Sequence, residues 1–356
     1  MIMTSYQKFL QVGLALDPVH VGSGASGIGR VDLAIVRDPI TQIPKIPGSS
    51  LAGVYRAYVA MHYEEDRQQQ IQQSSPSGQQ SQGRQKPFYP DCAGLGLDEN
   101  HGHCRQPDCP VCTVFGFARG SGQEGGFAGL AAFTDAHVLL FPVPTRQGPM
   151  WVTSPMMLEI IGVTVNGVNG NAIYVKNSGN PLNLGWLLLE KQPCGQLGDI
   201  KGHLQNLGIP DDIQNRLALV PDRLFAHIVN SNLEVRTSVS INPETGAAED
   251  RALFSYEALP RGTVLVWEII AKNPAHFRID NKDIEARVDC SQKIEKTCHV
   301  HQVARKAHPY LEHLGIGGMG TRGMGRLEVR YESQCPPSQS VQCNQTSTTH
   351  QEDHNE

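Results

Sequence analysis

The sequence predicts an α+β protein on the ferredoxin-like (RRM-like) plan of strand, helix, strand, strand, helix, strand, with long insertions between the parts. The first observation behind this is a hydrophobic period that switches from two to helical spacing and back along the chain. The second is composition: 36 glycines among 356 residues, with only 18% charged, favour strands, turns and long loops over a helical bundle. The third is length, which allows one large or two ordinary domains with substantial cores. No apolar run approaches the roughly 20 residues of a membrane helix, and the opening MIMTSYQKFL lacks the basic-then-apolar layout of a signal peptide. A soluble cytoplasmic protein with no membrane partner is expected. Thirty basic against 35 acidic residues give a net charge of −5, which argues against a surface coated throughout in nucleic acid but leaves room for a local basic groove.

The first strand is expected over Phe9 to Leu16, where Leu10, Val12, Leu14 and Leu16 alternate with smaller or more polar residues. A Gly-rich loop follows from His20 to Arg30, then an extended piece from Val31 to Val36 and a turn at Asp38-Pro39. In IPGSSLAGVYRAYVAMHYEE the period changes. Leu51, Val54, Tyr55, Tyr58, Met61 and His62 fall at helical spacing, with Ser49 or Ser50 as the N-cap. The run from Asp66 to Gln85 is polar and low in complexity and reads as a disordered loop tip. Leu130 to Leu139 is the second strand. The stretch from Pro142 to Pro260 mixes turn clusters with short apolar segments and could hide another small unit. Around Leu233 to Ala252 a hairpin is expected with its tip at Asn242 to Gly246. A strand over Thr263 to Ala271, a helix over Val300 to Leu314 and a last strand over Arg326 to Tyr331 complete the plan, and the tail after about Ser333 reads as disordered.

Nine cysteines form an odd count, with four crowded between Cys92 and Cys112, so a disulfide framework is a poor reading and a metal site a better one. Cys104, Cys109 and Cys112 have four and then two residues between them. A C-x-x-C pair holds two thiolates at tetrahedral spacing, and two further soft ligands close a structural zinc site. Cys92 is the expected fourth ligand, with His103 as the alternative and His101 nearby. A redox pair is the competing reading.

Two Gly-rich segments remain. In VGSGASGIGR, Gly22, Gly24 and Gly27 have the dinucleotide spacing, but the following residues read as extended where that fingerprint needs a helix, so a Rossmann site is not expected. No G-x-x-x-x-G-K-S/T loop occurs. In GIGGMGTRGMG, six glycines fall between Gly315 and Gly325, with Arg322 among them and Arg326 directly after. Backbone stripped of side chains can bring its N–H groups against a phosphate, with the arginines adding charge; a flexible turn is the plainer alternative. Asp32 on its own reads as a turn aspartate accepting backbone hydrogen bonds.

Three blocks, HVGSGASGIGRVDLAIVRDPITQIPKIPGSSLAGVYRA, CPVCTVFG and GIGGMGTRGMGRLEV, resemble in sequence and order the RAMP superfamily of CRISPR-associated proteins, and specifically the backbone subunits of type III effector complexes. A fourth, weaker block is RTSVSINPETGAAEDRALFSYEALPRGT. The resemblance covers about Leu10 to Tyr331 apart from the Gln-rich insert and the middle. It implies a ferredoxin-like palm (1–65 and 128–332), a zinc-bearing lid (88–127) and a hairpin thumb (about 235–253), beside the insert (66–87) and the tail (333–356). It also implies partners: a guide RNA, a complementary target RNA and other subunits of the complex.

In the family the catalytic aspartate follows I-G-x-x, which here marks Asp32. Its implied work is to bind Mg²⁺ or another divalent metal beside the scissile phosphate of a displaced target nucleotide, whose 2′-OH then attacks to leave a 2′,3′-cyclic phosphate and a 5′-OH. Motif match marks Ser49, Ser50, Arg56, Gly317, Gly318, Gly320 and Arg322 as guide-RNA contacts, with His20 beside the same loop. A histidine there either assists proton transfer or is simply satisfied by hydrogen bonds. A non-catalytic RNA-binding subunit is the alternative function.

Overall fold

The computed structural model describes residues 4–26, 31–73, 86–94, 102–118, 125–249, 253–289 and 291–335. Gly27, His101, the insert from 74 to 85, hairpin residues 250–252 and the tail from 336 lie outside the described residues. The chain opens with β1 (Tyr6–Ala15), β2 (Gly22–Ser26), β3 (Leu33–Ile35), β4 (Lys45–Ile46) and the long helix α1 (Gly48–Gln73). Next come α2 (Pro110–Phe115), β5 (Ala131–Phe133), β6 (Ala136–Val143), β7 (Met150–Thr153) and α3 (Pro155–Glu159). The middle holds β8 (Ala172–Val175), β9 (Leu182–Leu184), β10 (Leu187–Pro193), α4 (Leu197–Asn206), α5 (Asp211–Gln214), β11 (Leu217–Leu219) and α6 (Asp222–Ser231). The last third contains β12 (Glu234–Ser238), β13 (Phe254–Ala258), β14 (Val264–Lys272), β15 (Arg278–Ile279), β16 (Lys282–Asp283), α7 (Thr297–Arg305), α8 (His308–His313) and β17 (Leu327–Glu332).

The architecture is mixed α+β. The main sheet runs β17-β1-β14-β6-β7-β11-β8-β10-β9, with β4 on β6 and β5 on β14. Its first four strands pair antiparallel throughout. Alternation in β1 divides the core in two, because successive side chains point to opposite faces. Phe9 and Ala15 face one way with Leu265, Trp267 and Ile269 of β14, and pack under Leu51, Tyr55 and Val59 of α1 and Val300 and Val303 of α7. Val12 and Leu14 face the other way with Val264 and Val266, against Leu158, Ile200 and Leu204 from the middle of the chain. The middle third is therefore no separate unit, since β7 continues the same sheet from β6, α3, α4 and α5 cover the second face, and α6 joins the first core. Gly13 leaves room for Trp267, whose ring carbons stand 3.0 Å from where a Cβ would sit.

Several expectations need correcting. The N-cap position of α1 is Pro47 rather than a serine. Ser50 N–H already bonds the Pro47 carbonyl (2.9 Å), and Gly48 N–H donates to Asp135 Oδ1 (2.8 Å). Gly48 is required there because a Cβ would collide with the Phe133 carbonyl. The helix then runs eight residues into the stretch expected to be disordered. Arg and Gln are good helix formers, and Glu64 anchors this end by accepting from Arg67 and from the Phe88 amide (2.8 Å). The helix expected over Val300 to Leu314 is two helices, because Pro309 cannot sit inside one and instead occupies the first turn of α8. The Gly-rich loop after His20 contains β2, which pairs with β3. The tail is held as far as Cys335, through Ser333 on Leu10 and a Cys298–Cys335 disulfide with Cα atoms 5.7 Å apart. Among the described residues that disulfide is a single staple rather than a framework.

A second sheet, β12-β13-β3-β2, carries the hairpin. β12 and β13 pair from Glu234↔Ala258 to Ser238↔Phe254. At the tip, Asn242 N–H donates to the Ala247 carbonyl (2.8 Å) and Asn242 Oδ1 accepts from the Glu244 amide (2.8 Å), as the turn chemistry predicts.

Candidate functional site

Strand β13 gathers Asp32, His20 and the Gly-rich segment with Arg322. Asp32 lies immediately before β3, which runs parallel to β13 with Leu33 opposite Tyr256. Its exposed carboxylate accepts on Oδ2 from the Ser255 amide (2.7 Å) and the Ser255 hydroxyl (2.9 Å), and its own amide donates to the Ser255 carbonyl (3.1 Å). The bond from the Ser255 amide, followed by that from its hydroxyl, holds the carboxyl below the usual aspartate range. Asp32 is therefore ionised at neutral pH. Both bonds fall on one oxygen, leaving Oδ1 for solvent or a ligand among the described residues.

The Gly-rich segment is closed at its base and open at its tip. Ile316 N–H bonds the Gly325 carbonyl (2.8 Å), and Gly325 N–H bonds the Pro18 carbonyl (2.9 Å). Between them Gly317, Gly318, Gly320, Arg322 and Gly323 are exposed, while Met324 is buried beside Tyr256 and Ala258. The tip lies over the root of the hairpin: the Arg322 guanidinium stands 5.3 Å from the centre of the Phe254 ring. Arg326 is engaged elsewhere, paired with Asp17 at 2.5 Å.

His20 is buried, with 5% of its surface exposed, and its Nδ1 lies 2.6 Å from the Glu257 carbonyl. A carbonyl only accepts, so the proton sits on Nδ1. Gly318 N–H bonds the His20 carbonyl (2.8 Å), and Gly317, at φ +89°, passes so close to that carbonyl that a Cβ would collide with it. His20, expected as an RNA contact, thus stands behind the loop with its ring buried and its Nδ1 bonded to the Glu257 carbonyl. β13 is braced further by Glu257, whose Oε2 accepts from Arg37 at 2.7 Å.

Ser49 is exposed and Ser50 half-buried in the first turn of α1. They lie with β4 and β6 rather than on β13, beside Asp135, which also pairs with Lys45 at 2.7 Å. An anion approaching this helix start would meet the Asp135 carboxylate, and the Gly48 and Ser50 amides of the turn are already bonded.

Cys92, Cys104, Cys109 and Cys112 come together as the spacing predicts, with all four sulfurs within 4.8 Å of one another. Neighbouring sulfurs are 3.7 to 3.9 Å apart, and a Zn–S length of about 2.3 Å gives a tetrahedral edge of about 3.8 Å. None of the four forms a disulfide. Burial pushes the Cys109 thiol up, so these sulfurs can ionise together only around a cation. The residues fit a closed zinc site. His103 is not needed as a ligand: its Nδ1 lies 2.8 Å from a guanidinium nitrogen of Arg56. Arg56 also donates to the Cys92 carbonyl (2.7 Å). The guanidinium, expected to contact guide RNA, is half-buried against the cysteine cluster.

Sequence reasoning missed Ser255, Phe254 and Asp135. No local pattern marks any of them, because each acts on a partner distant in the chain.

A family model described as the RAMP superfamily matches residues 14–328. Over 344 residues the chain is 27% identical to the CRISPR system Cmr endoribonuclease Cmr4 of Pyrococcus furiosus, covering 90% of this chain and 95% of that protein. A shorter stretch of 67 residues is 42% identical to the CRISPR system Cms endoribonuclease Csm3 of Mycobacterium tuberculosis, covering 18% of this chain and 28% of that one. Among solved structures, a crystal structure of Cmr4 matches with a TM-score of 0.53 and 20% identity, covering 92% of this chain and 99% of that chain. A chain of the type III-B Cmr-beta complex bound to cognate target RNA matches with a TM-score of 0.55 and 16% identity, covering 92% and 98%. At these identities the structural likeness speaks to the fold. No helix among the described residues is long and apolar enough to cross a membrane.

Proposed function

Because the chain belongs to the RAMP superfamily, we propose that it is a guide-RNA-binding backbone subunit of a type III CRISPR effector complex that cuts complementary target RNA at displaced nucleotides. In this reading the four strands β17-β1-β14-β6 with α1, α7 and α8 form a ferredoxin-like palm, the cysteine cluster staples a zinc lid, and β12–β13 is the thumb. Its partners are the guide RNA, the target RNA and neighbouring subunits in a cytoplasmic ribonucleoprotein. The observation that carries the proposal is convergence on β13: an ionised carboxylate, an arginine on an open glycine loop and the root of a protruding hairpin share one strand.

Each part has a physical task. Val239, Ile241 and Leu253 are exposed on the hairpin, giving it an apolar edge to wedge between bases. A nucleotide driven out of the stack can align its 2′-OH with the neighbouring phosphate, which A-form geometry prevents. O2′ gives its proton to solvent and forms the 2′-O–P bond as the P–O5′ bond breaks, and O5′ takes a proton from solvent, leaving a 2′,3′-cyclic phosphate and a 5′-OH. Asp32, with its lowered pKa, is a poor proton acceptor at neutral pH; its task is to hold positive charge beside the phosphate. A single carboxylate together with substrate phosphates is an ordinary Mg²⁺ environment, and a divalent cation there would stabilise charge developing on the phosphate oxygens.

The exposed amides of Gly317, Gly318 and Gly320, with Arg322, hold the guide by its phosphates, which suits a subunit that must accept any guide sequence. His20 supports that loop from behind, and Ser49 and Ser50 add contacts at the start of α1. In an assembled complex, Asp32→Ala is expected to abolish cleavage at regularly spaced sites while leaving target binding intact. Unchanged cleavage would instead favour a passive spacer subunit, in which the bonds to Ser255 are simply those of a satisfied turn aspartate.

A further inference from the structure

We infer that Ser255 is a positioning residue that fixes where the target strand is cut, by tying Asp32 to the strand that becomes the hairpin. The inference rests on the assignment of Asp32 above and goes beyond it. The two residues are 223 positions apart, yet they exchange backbone and side-chain bonds in both directions. Ser255 N–H and Oγ–H both donate to Oδ2, while the Asp32 amide is shared between the Ser255 carbonyl at 3.1 Å and its hydroxyl at 3.3 Å.

The position of Ser255 in the hairpin gives these bonds their consequence. It pairs with Thr237, one step inside the last β12–β13 pair, Ser238↔Phe254, beyond which the hairpin leaves the sheet. The Asp32 carboxylate is therefore fixed to the root of the wedge. Behind Ser255, Tyr256 and Ala258 are buried, and Glu257 is held by Arg37 and by the Ile35 amide, so β13 offers a stiff mount. Whatever linkage the hairpin unstacks, the acid keeps one distance from it. Without the hydroxyl, one bond to Oδ2 and one to the Asp32 amide are lost, and the carboxylate gains a rotation that the remaining amide bond does not block. Misplacement of a catalytic group by about 1 Å is enough to cost on the order of a hundredfold in rate.

The test uses the complex assembled on guide RNA, with single-turnover cleavage mapped to the nucleotide and target affinity measured separately. Ser255→Ala is expected to cut about tenfold more slowly, as a partial misplacement requires, and to spread its cuts over adjacent linkages with target affinity unchanged. Ser255→Thr keeps the hydroxyl and is expected to restore both rate and site. If Asp32→Ala abolishes cleavage while Ser255→Ala cuts at the wild-type rate and position, the positioning role is overturned and the catalytic assignment stands. A Ser255→Ala defect confined to target affinity, or one that Ser255→Thr shares in full, also overturns it. Normal cleavage by Asp32→Ala removes the parent reading and this one together.

Discussion

Arg56 sets a positive charge against sulfur. Four thiolates around a divalent ion leave two net negative charges in a buried place, and such a group needs compensation from its surroundings. The guanidinium supplies it while bonding the Cys92 carbonyl and the His103 ring. Burial lowers the Arg56 pKa and the surrounding cysteines raise it, the signature of a cation kept for their sake. Arg56→Ala is therefore expected to lose zinc to a chelator faster than wild type, with guide-RNA affinity little changed, and Cys109→Ser to hold no stoichiometric zinc. Metal quantification and filter binding on the same preparations check this. Full zinc retention with lost guide binding would return Arg56 to the RNA surface.

At the scale of elements, helices α7 and α8 bury two neutral imidazoles against the sheet. His301 stacks on Phe9 with ring centres 4.1 Å apart, and its pKa is pushed down to about 4 by burial and then by Arg305. His308, edge-on to Tyr55 and 3.4 Å from Glu332, is pushed down to about 3 by burial, then by His301 and Arg305. The unfolded chain takes up these protons at ordinary histidine pKa values, so the stability they contribute is complete above about pH 6.5 and is lost as pH falls toward 4. Each ring is worth roughly 3 kcal/mol across that window, partly offset by Glu332, whose pKa burial raises. The urea midpoint should fall steadily from pH 7 to pH 4. A flat midpoint would mean that the helices do not pack on neutral rings.

At the scale of the molecule, what was legible in the sequence is what short-range chemistry writes. Alternation gave β1, the period change gave α1, the Asn-Pro-Glu-Thr-Gly turn gave the hairpin tip, and Cys104, Cys109 and Cys112 announced their own geometry. Strands of three or four residues in the middle third carry too little pattern to be read, and only the sheet explains them. The same limit hid Ser255 from Asp32 and Asp135 from Gly48, since those bonds depend on how distant segments meet. Arg56, marked by motif match, is turned by the fold against the cysteine cluster, a contact its local sequence does not announce.

The central claim is that β13 presents Asp32 to a target phosphate beside the hairpin wedge. Its most direct test is the distance from the Asp32 carboxylate to the nearest target phosphate, in a structure of the assembled complex holding guide RNA and a target blocked by a 2′-deoxy substitution. A separation of about 5 Å at the displaced nucleotide, short enough for one cation to bridge, is expected. An Asp32 more than about 10 Å from every target phosphate, beyond any such bridge, would contradict it.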